Sequence, residues 1–215
     1  MVRVARRGGR RYLAGVRPAL PLAPLLPLAL LWAACRAAPP APPPILGALP
    51  AFELTDEASR VFGAAELRGR PYVADFVYTG CTGGCPLLTA RMASLQEKLA
   101  ETSVRLVTVT VDPARDTPAR LAEYGRRAGA DFSRWSFLTG SPEAVRDLVV
   151  HGFKVTMGKA EADDPGEILH DGHLVLVDGA GRIRGYYAAD PDGERRLVRD
   201  ARSLASAHPA PVAAR

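Results

Sequence analysis

The sequence has few cysteines, and its first 52 residues include no acidic residue. Three cysteines among 215 residues are too few for the disulfide framework of a small secreted domain. No acidic residue precedes Glu53, whereas six arginines lie before residue 35. Without those six arginines the chain has 22 basic and 23 acidic residues. The positive net charge therefore belongs to the N-terminal segment, and the rest of the chain gives no reason to expect binding to nucleic acid.

The N-terminal segment has the features of an export signal. An arginine-rich start is followed by an apolar run from Leu20 to Ala34 that ends in small residues. We therefore interpret residues 1–34 as a signal peptide that takes no part in the fold. Four prolines between residues 18 and 27 disfavour a stable transmembrane helix, because each removes a backbone donor and clashes with the preceding turn.

The end of this segment resembles a bacterial lipobox. The residues Leu31–Cys35 show the resemblance, with Trp32 at the position where leucine is usual. We predict cleavage before Cys35 and lipid attachment to its sulfur, which would place the protein on the extracytoplasmic face of a bacterial membrane. The alternatives are an uncleaved anchor or a plain cleaved signal that leaves Cys35 free.

The remaining chain divides into a linker, one domain and a tail. Residues 35–50 are rich in alanine and proline, which favours extended polyproline II and predicts a semi-rigid spacer. Residues 51–206 are long enough for one domain with its own core. Residues 207–215 contain little that could be buried, and we expect them to be disordered.

Within residues 51–206, apolar runs alternate with helical patterns. The runs 71–78 and 104–111 predict buried strands. Apolar spacing predicts a helix after Pro86, and Thr117-Pro118 and Ser141-Pro142 are typical helix starts. The runs 174–177 and 183–187 predict a hairpin, and a last helix spans about 193–206. This order predicts an α/β domain of thioredoxin-like fold, with a central mixed sheet flanked by helices.

One pair of cysteines lies between the first predicted strand and the helix that follows it. Cys81 and Cys85 occupy the carboxyl end of that strand, where open α/β folds place their sites. The helix N-terminus favours thiolates over thiols. We expect Gly83 and Gly84 to permit a tight turn that brings both sulfurs to one side.

Such a pair can form a disulfide, bind a soft metal, or alternate between the two. Thioredoxin-type oxidoreductases have two residues between their cysteines, and here there are three. A structural zinc site would want four ligands, but only this pair and histidines are present. Two thiolates and one imidazole suit copper. A merely stabilising disulfide and a thiol peroxidase or redox sensor are the remaining alternatives.

The domain resembles the Sco/SenC copper-binding proteins of cytochrome oxidase assembly. The resemblance rests on three segments, Tyr78–Pro86, Val111–Pro118 and the region from His170 to Tyr186. It implies a thioredoxin-like fold, copper bound by Cys81, Cys85 and one histidine, and delivery of copper to the binuclear centre of cytochrome c oxidase subunit II, or thiol reduction of that centre.

Four histidines could complete the site. The family's histidine lies eight residues before the aspartate that begins the hairpin turn, and counting back from Asp178 gives His170. His173 is the rival, because both residues precede the hairpin strand. His151 follows a predicted helix and is expected at the surface, and His208 lies in the predicted tail.

Three further residues lie near these segments. Asp112 and Asp116 belong to the second segment, and we expect them to serve a turn and a helix start rather than the site. Tyr78 lies close enough to the cysteines to line their surroundings.

The sequence therefore favours a membrane-tethered copper carrier rather than an enzyme. Its cargo would be Cu(I) or Cu(II), bound by Cys81, Cys85 and His170. The main alternative is an extracytoplasmic thiol-disulfide reductase that prepares the cysteines of the copper acceptor, with Cys81, which we expect to be the more exposed of the pair, as the attacking thiolate.

Overall fold

The computed structural model describes residues 41–159, 168–170 and 172–207, although the side chains of residues 158–159 and 168–170 are not described. All of these residues belong to the unit Pro39–Arg215. The predicted signal peptide, Cys35, and residues 208–215 of the predicted tail lie outside the described residues. Among the helices that are described, none combines the length and the apolar character needed to cross a membrane.

The described residues form one large mixed sheet and a separate two-stranded ribbon. The order of strands in the sheet is β1-β10-β9-β4-β5-β6-β2-β3, and β7 pairs with β8 in the ribbon. β4 is parallel to β5 and β5 to β6, whereas β9 is antiparallel to both β4 and β10. The strands are β1 Gly47–Ala48, β2 Glu53–Asp56, β3 Val61–Gly63, β4 Tyr72–Val77, β5 Arg105–Thr110, β6 Trp135–Thr139, β7 Met157–Lys159, β8 Ile168–His170, β9 His173–Val177 and β10 Arg182–Ala188.

Helices cover both faces of the sheet. They are α1 Ala64–Leu67, α2 Cys85–Lys98, α3 Pro118–Arg127, α4 Pro142–Arg146, which continues as a π-helix over Asp147–Gly152, and α5 Pro191–Ala207. On one face Tyr124 of α3 contacts Phe137 of β6, with ring centroids 6.3 Å apart. On the opposite face Phe153, just after the π-helix, contacts Phe76 of β4 at 5.0 Å. All six residues of β4 are therefore buried, as a central strand covered on both sides requires.

The predicted α/β class and mixed sheet are confirmed, as are the strands at 71–78 and 104–111, the hairpin and the last helix. The two predicted helix caps are also present. Thr117 Oγ1 accepts a hydrogen bond from the backbone of Arg120, and Ser141 Oγ accepts one from Ala144. β6 was not predicted from the sequence, because Ser136 and Thr139 interrupt its apolar residues and leave no long apolar run like those of β4 and β5.

The end of the predicted linker packs against the sheet. β1 pairs with Ile183 and Arg182 of β10, although both of its residues lie in the segment predicted as a spacer up to residue 50. Arg184, which is 8% exposed, donates a 2.9 Å hydrogen bond from Nε to the carbonyl oxygen of Pro43. The extended backbone that alanine and proline favour is also the conformation of an edge strand, so composition alone could not separate the two.

Candidate metal centre

The cysteine segment joins the carboxyl end of β4 to the start of α2. β4 ends at Val77, and Cys85 and Pro86 are the first two residues of α2, where proline loses no helical hydrogen bond. Cys81 lies in the intervening loop, where its backbone N–H donates a 3.2 Å hydrogen bond to the carbonyl oxygen of Tyr78. The predicted placement of both cysteines agrees with the structure.

The expected role of the two glycines is wrong. Gly84 has an ordinary right-handed helical conformation, and Gly83 is not among the residues with positive φ. A Cβ atom added at either position would meet nothing within 4 Å. The turn that brings the cysteines together therefore depends on other contacts.

The two thiols have different environments. Cys85 is completely buried, whereas Cys81 is half-buried, and neither is in a disulfide. Burial alone would raise the pKa of Cys81, but hydrogen bonds from the Cys85 thiol, from the backbone of Cys85 and Gly83 and from the Tyr78 hydroxyl together lower it. Burial, together with the nearby Cys81, raises the pKa of Cys85. Cys81 is thus the more accessible and more easily ionised thiol of the pair.

A buried carboxyl group on β4 also affects these thiols. Asp75 is completely buried, and burial raises its pKa to about 7 in spite of a hydrogen bond from Thr108. Its charge is one of the influences that raise the pKa of Cys85. Asp75 was not among the predicted site residues, because it lies within an otherwise apolar strand. The sequence feature that could have identified Asp75 is a single acidic residue within a run of apolar residues.

Asp116 lies closer to the cysteine loop than the sequence analysis expected. Its buried carboxylate accepts a 2.9 Å hydrogen bond from the backbone N–H of Thr79 and a 2.5 Å hydrogen bond from the Thr79 hydroxyl. Thr79 is two residues before Cys81. Asp112, by contrast, pairs with the exposed side chain of Arg115, as a turn residue would.

The histidines fall into three groups. His151 is exposed at the end of the π-helix, as predicted, and His208 lies outside the described residues. His173 is half-buried and begins β9, which runs antiparallel to β4 and therefore starts at the end of the sheet where the cysteine loop lies. His170 is the last residue of β8 and pairs with Met157 across the ribbon.

The position of His170 is constrained through its backbone. His170 is three positions before His173, so their Cα atoms are at most about 11 Å apart, and β8 ends near the same end of the sheet. Among the side chains that are described, no three of the types His, Cys, Asp and Glu are placed to hold a metal ion together. His173 therefore does not complete a three-ligand set with both cysteines in this structure. The side chain of His170 and all of Asp171 lie outside the described part.

The chemistry of the cysteine pair fits a soft metal. Two sulfurs lie on one loop-to-helix segment, and Cys81 Sγ accepts hydrogen bonds that stabilise a thiolate. Thiolates with an imidazole suit Cu(I), which favours sulfur ligands. The same two thiols could instead form a reversible disulfide with each other.

Comparisons with known proteins agree with this fold. A putative copper-binding protein of Stutzerimonas stutzeri is 34% identical over 156 residues, which cover 70% of this chain and 75% of that protein. The structure of a SCO1/SenC family lipoprotein from Bacillus anthracis matches with a TM-score of 0.71 and 31% identity, over 77% of this chain and 99% of that chain. BsSco matches with a TM-score of 0.68 and 26% identity, over 77% and 98% of the two chains, and is described as a member of the Sco family of cytochrome c oxidase assembly proteins that has a disulfide switch.

A family model also covers most of the chain. The model described as SCO1/SenC matches residues 46–206, from the residue before β1 to the last turn of α5. The structural matches confirm the predicted thioredoxin-like fold. The chain therefore belongs to the SCO1/SenC family.

Proposed function

We propose that this protein is an exported, membrane-tethered copper carrier that binds copper through Cys81, Cys85 and His170. The observation that carries the proposal is the pair of thiols where the β4–α2 loop meets α2, one of them half-buried and stabilised as a thiolate, near the end of the sheet where β8 ends. The similarity to a putative copper-binding protein supports copper as the metal.

The proposed acceptor is the binuclear copper centre of cytochrome c oxidase subunit II. The relation of BsSco to cytochrome c oxidase assembly supports this assignment. Transfer would proceed by ligand exchange, in which thiolates of the acceptor replace those of Cys81 and Cys85 one at a time. Cys81 would be replaced first, because its sulfur is accessible whereas that of Cys85 is buried.

An anaerobic copper titration of the reduced full-length protein tests the proposal. We expect one Cu(I) per chain, a clear loss of affinity in His170→Ala, and affinity close to wild type in His173→Ala. His173→Ala is the matched control, because it removes an imidazole three residues away at the same end of the sheet. The carrier assignment fails if the wild-type protein binds no stoichiometric copper, or if neither histidine change weakens binding.

A second function, thiol-disulfide reduction of the acceptor, is favoured by the asymmetry of the thiols. The Cys81 thiolate would attack an acceptor disulfide and form a mixed disulfide, and the Cys85 thiol would then resolve it. This releases two acceptor thiols and leaves a Cys81–Cys85 disulfide, so two electrons pass to the acceptor. The disulfide switch of BsSco supports such chemistry. Reduction of an acceptor-derived disulfide peptide by a protein that binds no copper would favour this alternative.

Tethering is proposed to occur through a lipid on Cys35. The similarity to a SCO1/SenC family lipoprotein supports it. Mass spectrometry of the membrane-extracted protein should show Cys35 as a diacyl-modified first residue. An intact segment of residues 1–34 would contradict lipidation, and so would an unmodified Cys35.

A further inference from the structure

The carboxylate of Asp116 joins three parts of the fold beside the cysteine loop. It accepts hydrogen bonds from the backbone and hydroxyl of Thr79, and a third, of 2.6 Å, from the hydroxyl of Thr110. Thr79 follows β4, Thr110 ends β5, and Asp116 precedes the cap of α3. A carboxylate that is 1% exposed thus ties the ends of two parallel strands to the start of a helix.

This contact is long-range, whereas the hydrogen bonds that Cys81 makes with Tyr78, Gly83 and Cys85 are all local. Thr79 and Asp116 are 37 positions apart. Added Cβ atoms at Gly83 and Gly84 would meet nothing within 4 Å, and one at Gly80 would meet only the Tyr78 ring. The loop is therefore held at one end by Asp116 and at the other by the first turn of α2. Movement of Thr79 would be transmitted to Cys81 through a single intervening residue.

We propose that Asp116 is a positioning residue for the metal site. It fixes Thr79 and thereby holds the Cys81 sulfur where it and the Cys85 sulfur reach one metal ion. Asp116 does not itself touch the metal, and copper as the ligand rests on the proposed function. A buried carboxylate with charge-assisted hydrogen bonds suits this role, because such bonds are shorter and stronger than neutral ones.

The first test compares Asp116→Asn with Asp178→Asn in the reduced full-length protein. Asp178 is a matched control, because it is also 1% exposed and accepts four hydrogen bonds, from Ala180, Arg182 and Arg184. It follows β9, at the end of the sheet opposite the cysteines. Cu(I) affinity is measured by competition with a chromophoric chelator, after urea unfolding curves have located conditions in which both variants are folded.

We expect Asp116→Asn to lower Cu(I) affinity by about tenfold, the lower end of the loss that follows removal of a group supporting a metal ligand, and Asp178→Asn to leave it unchanged. If both variants lose affinity equally, the effect is one of general stability and the positioning role is overturned. If both bind copper as tightly as wild type, the role is overturned as well.

The Thr79 side of the contact provides conservative variants. Thr79→Ser keeps both hydrogen bonds to Asp116 and should bind copper like wild type. Thr79→Val keeps only the backbone bond and should lose part of the affinity. The Asp116→Asn/Thr79→Val double variant should be little worse than Asp116→Asn alone, because the two changes remove the same contact. Fully additive losses would contradict the proposal.

A measurement that does not involve copper tests the positioning role of Asp116 independently of the proposed carrier function. The equilibrium between the Cys81–Cys85 dithiol and its disulfide, measured in glutathione buffers, also depends on the relative placement of the two sulfurs. Asp116→Asn should shift this equilibrium, whereas Asp178→Asn should not. If wild-type protein binds no copper, the carrier function fails while this shift still tests Asp116. If copper binds but neither readout distinguishes Asp116→Asn from the control, only the positioning role fails.

Discussion

Thr108 donates a 2.6 Å hydrogen bond to Oδ1 of Asp75 inside the sheet, while Oδ2 of the same carboxyl group has no hydrogen-bond partner among the described residues. The indole N–H of Trp135 in turn donates to the Thr108 hydroxyl at 2.8 Å. Only one of the two oxygen atoms of the Asp75 carboxyl group therefore has a hydrogen-bond partner among the described residues. A group in this position favours its neutral, protonated form, which agrees with a pKa of about 7.

Asp75 should make stability depend on pH. Its pKa is raised from 3.8 to about 7 in the folded protein, so the folded state keeps a proton that the unfolded state loses between these values. This contribution is fully present below pH 4 and is lost as the pH rises through 7, with a slope of at most about 1.4 kcal/mol per pH unit. Urea unfolding across this range should show that Asp75→Asn removes that slope. The exposed Glu123→Gln should keep it, and a wild-type slope that persists in Asp75→Asn would exclude Asp75 as its source.

The two cysteines should differ in reactivity. Hydrogen bonds lower the pKa of Cys81, and burial raises that of Cys85, so iodoacetamide should modify Cys81 first at neutral pH. Tyr78→Phe removes one of those bonds and should slow the modification of Cys81 several-fold. Tyr186→Phe is the control, because the Tyr186 hydroxyl donates to the carbonyl oxygen of Phe153 instead. Peptide mass spectrometry gives both rates, and earlier modification of Cys85 would refute the assignment.

Arg184 should determine whether residues 43–49 remain packed against β10. Its guanidinium bonds Asp178 at 2.8 Å and the carbonyl of Pro43, a geometry that a lysine ammonium does not reproduce. Arg184→Lys should destabilise the protein by about 1–3 kcal/mol. It should also speed hydrogen exchange at the Leu46 and Leu49 amides, which bond to β10 and the hairpin turn.

Arg182→Lys is the matched control for this change. Arg182 also pairs with Asp178, but its side chain is 40% exposed and its lysine variant should keep slow exchange at both amides. Equal acceleration in the two variants would show that the guanidinium of Arg184 has no special role in holding residues 43–49.

Local pattern determined much of this protein before any tertiary structure was considered. The buried apolar runs predicted β4 and β5, and the threonine-proline and serine-proline pairs predicted the starts of α3 and α4, because strands and helix caps depend on neighbouring residues. The strand-to-helix position of Cys81 and Cys85 followed from the same patterns. Strand β6 was not predicted, since Ser136 and Thr139 interrupt its short apolar stretch.

Contacts between distant residues were decided only by the tertiary structure. The bond between Thr79 and Asp116 spans 37 positions, and nothing in the separate segments shows that they meet. The sequence predicted Cys81 as the more exposed thiol, but the complete burial of Cys85 and the packing of residues 43–49 on β10 were decided by the tertiary structure. Local sequence thus identified Cys81 and Cys85 as the candidate ligands. The ionisation of their thiols depends on burial and hydrogen bonds that exist only once the sheet has assembled.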